Sequence, residues 1–81
     1  MRVRVLAFAR LRELLGSGTR DLELAEGANV EQVWALLAGG APALAAFRAS
    51  TRFARNGALV DAAARVHDGD EIALMPPVGG G

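Results

Sequence analysis

The residues of this chain most open to chemistry stand at its end, in the run Pro76-Pro77-Val78-Gly79-Gly80-Gly81. A carboxylate on Gly81, preceded by Gly80 and with no β-carbon beside it, is sterically open to attack. Such a group can be activated as an acyl adenylate, from which a sulfur donor makes a thiocarboxylate. The chain has no cysteine, so no thiol nucleophile, disulfide or thiolate metal site is available. The terminal carboxylate is then the obvious place to carry sulfur. Glycines without side chains fit a narrow channel, and six extended residues span roughly 20 Å at most, enough to reach into a cleft of another protein. A triple glycine equally fits a loose end with no role, so the tail alone decides nothing.

Other chemistry is poorly supplied. The single histidine, His67, cannot hold a metal by itself, and nothing nearby in sequence makes it a base. Asp68 and Asp70 lack the remaining ligands of a cation loop and fit a turn better. All nine basic residues are arginine, which removes Schiff-base chemistry and side-chain amine acceptors. No Gly-rich phosphate loop lies between a strand and a helix, so the chain should bind no nucleotide or other cofactor; any ATP belongs to a partner. Nine basic residues against nine acidic give a net charge of zero, which argues against coating nucleic acid. No apolar run approaches the roughly 18 residues of a membrane span, and the start, Met-Arg-Val-Arg-Val, reaches no signal-cleavage pattern. The expected location is the cytoplasm.

The elements that must hold the tail follow from periodicity. Residues 2–9 alternate, with Val3, Val5 and Ala7 on one parity and Arg2, Arg4, Leu6 and Phe8 on the other, which predicts a strand whose outward face turns apolar at its end. Leu11, Leu14 and Leu15 have helical spacing, with Gly16 suited to a left-handed C-terminal residue. Thr19 to Ala25 alternates as a second strand. Asn29 with Gln32 three residues on predicts a capping box for the main helix, whose face is Val30, Val33, Trp34 and Leu37 and whose stop is Gly39-Gly40. Residues 41–49 suggest a further short helical piece behind Pro42. Asn56-Gly57 predicts a tight hairpin between 52–55 and 58–60. His67-Asp68-Gly69-Asp70 reads as a turn before a last strand, Glu71 to Met75, with Ile72 and Leu74 inward and Ala73 and Met75 outward. The expectation is an α+β domain over 1–75, one mixed sheet of about five strands around one main helix. A tail over 76–81 should project, because two prolines after a strand forbid further ladder pairing.

Two separated stretches, Phe8-Ala9-Arg10-Leu11-Arg12-Glu13-Leu14-Leu15-Gly16 and Asp68-Gly69-Asp70-Glu71-Ile72-Ala73-Leu74-Met75-Pro76-Pro77-Val78-Gly79-Gly80-Gly81, occur in the order and at the chain length of a known family. Together they resemble the small subunits of molybdopterin synthase, within the ubiquitin-like β-grasp sulfur carriers. The resemblance implies that Gly81 is adenylated by a ubiquitin-activating-like adenylyltransferase and converted to a thiocarboxylate. It then enters the large synthase subunit, in a heterotetramer, to give sulfur to a cyclic pterin phosphate in molybdenum cofactor biosynthesis. The chain is then no free-standing enzyme. Two departures stand out: Met75 where the family often has phenylalanine, and Gly79 at a commonly variable position, which makes Gly80-Gly81 the matched pair.

The same resemblance places Phe8 and Met75 at the ends of adjacent parallel strands, beside the root of the tail, as an apolar docking patch with Pro76, Pro77, Val78 and Gly79 leading away. Phe8 also fits a residue that caps the core. Leu59 matches a family position that joins the patch. Arg12 becomes a contact for the activating enzyme, although Arg12 and Glu13 also fit an ordinary solvated charge pair. Trp34 reads as packing, and His67 as solvent-facing. Two other readings stay open: a carrier for thiamine or tRNA thiolation, and a non-covalent interaction module with an inert tail.

Overall fold

The computed structural model describes residues 1–76; the expected projection of Pro77, Val78, Gly79, Gly80 and Gly81 lies outside the described residues. The elements are β1 (Arg2–Ala7), α1 (Ala9–Leu15), β2 (Thr19–Glu23), α2 (Val30–Gly40), a 3-10 helix (Pro42–Ser50), β3 (Arg52–Arg55), β4 (Ala58–Val60) and β5 (Glu71–Met75). The five strands form one mixed sheet in the order β2-β1-β5-β3-β4. β1 and β5 run parallel at its centre, and the other pairings are antiparallel. This is the expected α+β, β-grasp arrangement.

Alternation decides which face of the sheet is covered. Val3, Val5 and Ala7 of β1, Phe53 of β3, and Ile72 and Leu74 of β5 point to one side and are buried. Over them lie Val30, Val33, Trp34 and Leu37 of α2, Leu11 and Leu15 of α1, and Leu44 of the 3-10 helix, all in one apolar cluster. Trp34 meets Phe53 edge to face, with ring centroids 6.1 Å apart, so it is packing as expected. Burying each of the valine, leucine, isoleucine and phenylalanine side chains stabilises by roughly 1.5–3 kcal/mol against leaving it in water.

Local signals set the ends of the elements, with three corrections. The Asn29 side chain accepts the Gln32 backbone N–H at 2.9 Å, and the Gln32 side chain accepts the Asn29 N–H at 2.8 Å, closing the capping box. Gly16 closes α1 at φ 77°. Gly39 and Gly40, in contrast, lie inside α2 and are not at positive φ. The stop falls at Ala41 (φ −143°), because Pro42 excludes the helical region for the residue before it. β1 ends at Ala7 rather than Ala9, since Phe8 becomes the N-cap of α1 in extended conformation. β2 ends at Glu23 rather than Ala25: Leu24 donates its N–H to Met1 O at the first residue of the chain, leaving no further partner on β1.

The turn before β5 is tied down by carboxylates. Asp68 Oδ1 accepts the Arg2 N–H at 2.7 Å. Asp70, which is buried, accepts the Asn56 amide at 2.9 Å and the His67 N–H at 2.8 Å, while Asn56 Oδ1 accepts the Glu71 N–H at 2.9 Å. Asn56 thus serves the β3–β4 turn, at φ 50° before Gly57 at φ 88°, and also fixes the entry to β5. His67 is solvent-facing, as expected, with its ring nitrogen 3.8 Å from Asp70.

Candidate functional site

The uncovered face of the sheet carries the candidate surface. Ladder partners share a face, so the registers Leu6↔Ala73, Ala73↔Ala54 and Ala54↔Leu59 define one row across β1, β5, β3 and β4. Its two central members are alanines, Ala73 half-buried and Ala54 buried, and its outer members are leucines, which makes the strip apolar and low in the middle. Leu59 is 67% exposed and Phe8 is 48% exposed, so this face leaves two large apolar side chains open to solvent. Nearer the chain end, Met75 is half-buried and has Arg52 as its ladder partner. Phe8 follows the last residue of β1 and Met75 is the last residue of its parallel neighbour β5, so both stand at the edge from which Pro76 leaves.

Phe8 does not cap the core: its exposure removes that reading. Its backbone carbonyl instead accepts the Leu11 and Arg12 N–H groups at 3.1 and 3.3 Å and starts α1. Ala9, next to it, sits at φ 50°, a left-handed conformation unfavourable for a residue with a β-carbon. Phe8, Leu6, Arg12, Gly18 and Thr19 line an open depression of about 470 Å³ beside the tail root.

Arg12 and Glu13 are not an ion pair. Glu13 pairs with Arg10, Nη1 to Oε2 at 2.9 Å, because neighbours in sequence do not face each other on a helix whereas residues three apart do. Arg12 instead lies across Gly18, where a β-carbon would meet its Nε at 3.3 Å. A bare backbone at position 18 therefore gives the guanidinium its seat.

Sequence reasoning passed over Leu6, Ala54 and Arg52 as members of this surface. Leu6 was signalled by the apolar turn of its parity. Ala54 and Arg52 depend on the pairing of β3 with β5, a contact between segments about twenty residues apart that no local pattern encodes. Arg48, close by in sequence, is occupied elsewhere: it grips Glu31 with Nε to Oε2 at 2.9 Å and lies 5.0 Å above the Phe53 ring. That hydrogen bond holds the Glu31 carboxyl below the usual carboxylate range. Among the described residues, no group of three or more His, Cys, Asp or Glu side chains is placed to hold a metal ion. No helix among them is long and apolar enough to cross a membrane.

Comparison with known proteins agrees with the fold. The ThiS family profile matches residues 5–81. The chain is 36% identical to the molybdopterin synthase sulfur carrier subunit of Chlamydomonas reinhardtii, over 100% of both chains. It superposes on SAMP1, a small archaeal modifier protein, of Haloferax volcanii, with a TM-score of 0.88, 30% identity and 100% coverage of both chains. The fold is shared too with a Helicobacter pylori chain, from a protein–protein complex of subunits 1 and 2 of molybdopterin-converting factor (TM-score 0.72, 24% identity, 100% of both chains).

Proposed function

The chain belongs to the ThiS family, and on that premise we propose that it is the sulfur-carrying small subunit of molybdopterin synthase, loaded at the carboxylate of Gly81. The observation that carries this reading is that Phe8, one residue past the end of β1, and Met75, the last residue of the parallel neighbour β5, stand at the same edge of the sheet, on the face where Leu59 is open. The chain end departs beside an apolar surface that a partner can cover while residues 77–81 reach into it. The name of the algal relative and the complex formed by the Helicobacter pylori protein support the large synthase subunit as that partner.

The chemistry needs two partner proteins. In the adenylyltransferase, a Gly81 carboxylate oxygen attacks the α-phosphorus of ATP and pyrophosphate leaves. A hydrosulfide-equivalent donor then attacks the carbonyl carbon: the C–S bond forms, the C–O bond to AMP breaks, and a thiocarboxylate remains. In the large subunit the thiocarboxylate sulfur forms a C–S bond to a side-chain carbon of the cyclic pterin phosphate while that carbon's bond to oxygen breaks, the oxygen leaving with the phosphate or as water, and hydrolysis of the acyl–sulfur bond returns the carboxylate. A dithiolene holds two sulfurs and each chain carries one, which suits a heterotetramer. This chain supplies shape, docking and the loaded carbonyl, and the catalytic groups are the partners'.

Reconstitution tests the reading. Chain prepared with a thiocarboxylate at Gly81, mixed with the large subunit and the cyclic pterin precursor, should yield molybdopterin without ATP, and the same chain as a carboxylate should not. Product from the carboxylate form, or none from the thiocarboxylate, would refute it. The likeness to SAMP1 favours one further arm: amide-linked adducts on other proteins' lysines would mark a modifier instead.

A further inference from the structure

We propose that Arg52 is a basic contact for the protein that receives the chain end, reading a carboxylate on that partner beside the apolar strip. The inference rests on the reading above only in taking the large synthase subunit as that partner.

The charges on the uncovered face are sorted by position. At the start of β1 they are settled within the chain: Arg2 Nε meets Glu23 Oε1 at 2.9 Å, and Arg4 Nε meets Asp21 Oδ1 at 3.2 Å, both between ladder partners. Beyond the Leu6, Ala73, Ala54 and Leu59 row the pattern changes. Arg52 is the ladder partner of Met75 and shares its face. It is exposed and makes no ion pair among the described residues. Asp61 lines the same cleft as Arg52, but its carboxylate is turned into its own loop, where it accepts the Ala63 N–H at 2.8 Å. On the far side of Phe8, Arg12 lies over Gly18, likewise without an ion pair among the described residues.

The chain-end edge therefore reads basic, apolar, basic, on a chain whose net charge is zero. A partner that matches it offers an apolar strip with carboxylates on both flanks. Solvated guanidinium groups contribute little while they stay in water. Opposite a complementary rim they speed encounter, and once partly dehydrated they hold carboxylates by paired hydrogen bonds.

The test is the association rate of the full chain with the large subunit, read at about 50 mM and about 500 mM salt, where screening differs most. Arg52→Glu should slow association about tenfold at low salt, with the deficit shrinking at high salt, and Arg52→Gln should fall between it and the unaltered chain. Arg65→Glu changes net charge equally but lies beside Gly27 and Asn29. It should stay within about twofold of the unaltered chain, since a screened distant charge steers weakly. Equal rates for Arg52→Glu and Arg65→Glu would overturn the inference alone. Failure of the unaltered chain to bind at either salt would overturn the functional reading and this inference with it.

Discussion

Leu6 and Ala73 stand opposite one another in the parallel ladder of β1 and β5. Both face away from the core, and the row they begin continues through Ala54 to Leu59. Because the pairing is parallel, the two strands also end together, which brings Phe8 and Met75 to the edge from which Pro76 departs. One register thus fixes both the apolar strip and the edge from which Pro76 departs, and the consequences can be tested separately.

Leu59→Asp should leave stability within about 0.5 kcal/mol of the unaltered chain, since the residue is 67% exposed and a surface position away from packing tolerates change. The same substitution places a charge on the apolar strip and should weaken binding to the large subunit by at least about tenfold. Thermal melts and titration calorimetry check the two halves. Weakened binding together with a collapsed melting temperature would assign Leu59 to the fold.

Ala9→Gly should raise stability by about 1 kcal/mol, because glycine adopts the left-handed conformation at φ 50° without the β-carbon clash. Ala9→Val should lower it by more than that gain. Urea unfolding of the three proteins decides, and a destabilised glycine variant would refute a strained Ala9.

Leu74→Ala should cost about 2–5 kcal/mol, since Leu74 is fully buried between the ladder partners Ala7 and Phe53 under α2. For a chain of this size that is a large share of its stability. Denaturant unfolding measures it, and a loss under about 1 kcal/mol would contradict the packing described.

Asp70 makes stability depend on acid. Burial pushes its carboxyl up, but the Asn56 amide, the His67 N–H and the nearby His67 and Arg55 charges outweigh burial and leave it lowered. A carboxyl lowered on folding adds stability that is present above its unfolded value and lost as pH falls through the folded one. Asp70→Ala should therefore cost about 1–3 kcal/mol near neutrality, leaving the Asn56 amide and His67 N–H without their acceptor. Below the carboxylate range the gap to the unaltered chain should narrow, and a gap that stayed constant with pH would deny Asp70 this part.

Much of this was legible in the sequence because it is written locally. Asn29 and Gln32, Gly16, and Asn56-Gly57 each act within a few residues, and each sits where its chemistry requires. The apolar end of the first strand's outward parity announced Leu6. Gly39-Gly40 misled because glycine only permits a helix to end, whereas Pro42 obliges it to. Arg12 and Glu13 were paired along the chain although a helix turns neighbours apart, and Glu13 found Arg10. Arg52 and Ala54 were out of reach, since their place beside Met75 and Ala73 comes from strand pairing across the domain.

The central claim, that sulfur is loaded on the carboxylate of Gly81, is met most directly by intact-mass measurement. After incubation with the adenylyltransferase, ATP and a sulfur donor, exchange of one oxygen for sulfur should add roughly 16 Da to the chain, and a chain lacking Gly81 should show no gain. An unchanged mass for the complete chain, or the same gain without Gly81, would contradict the account.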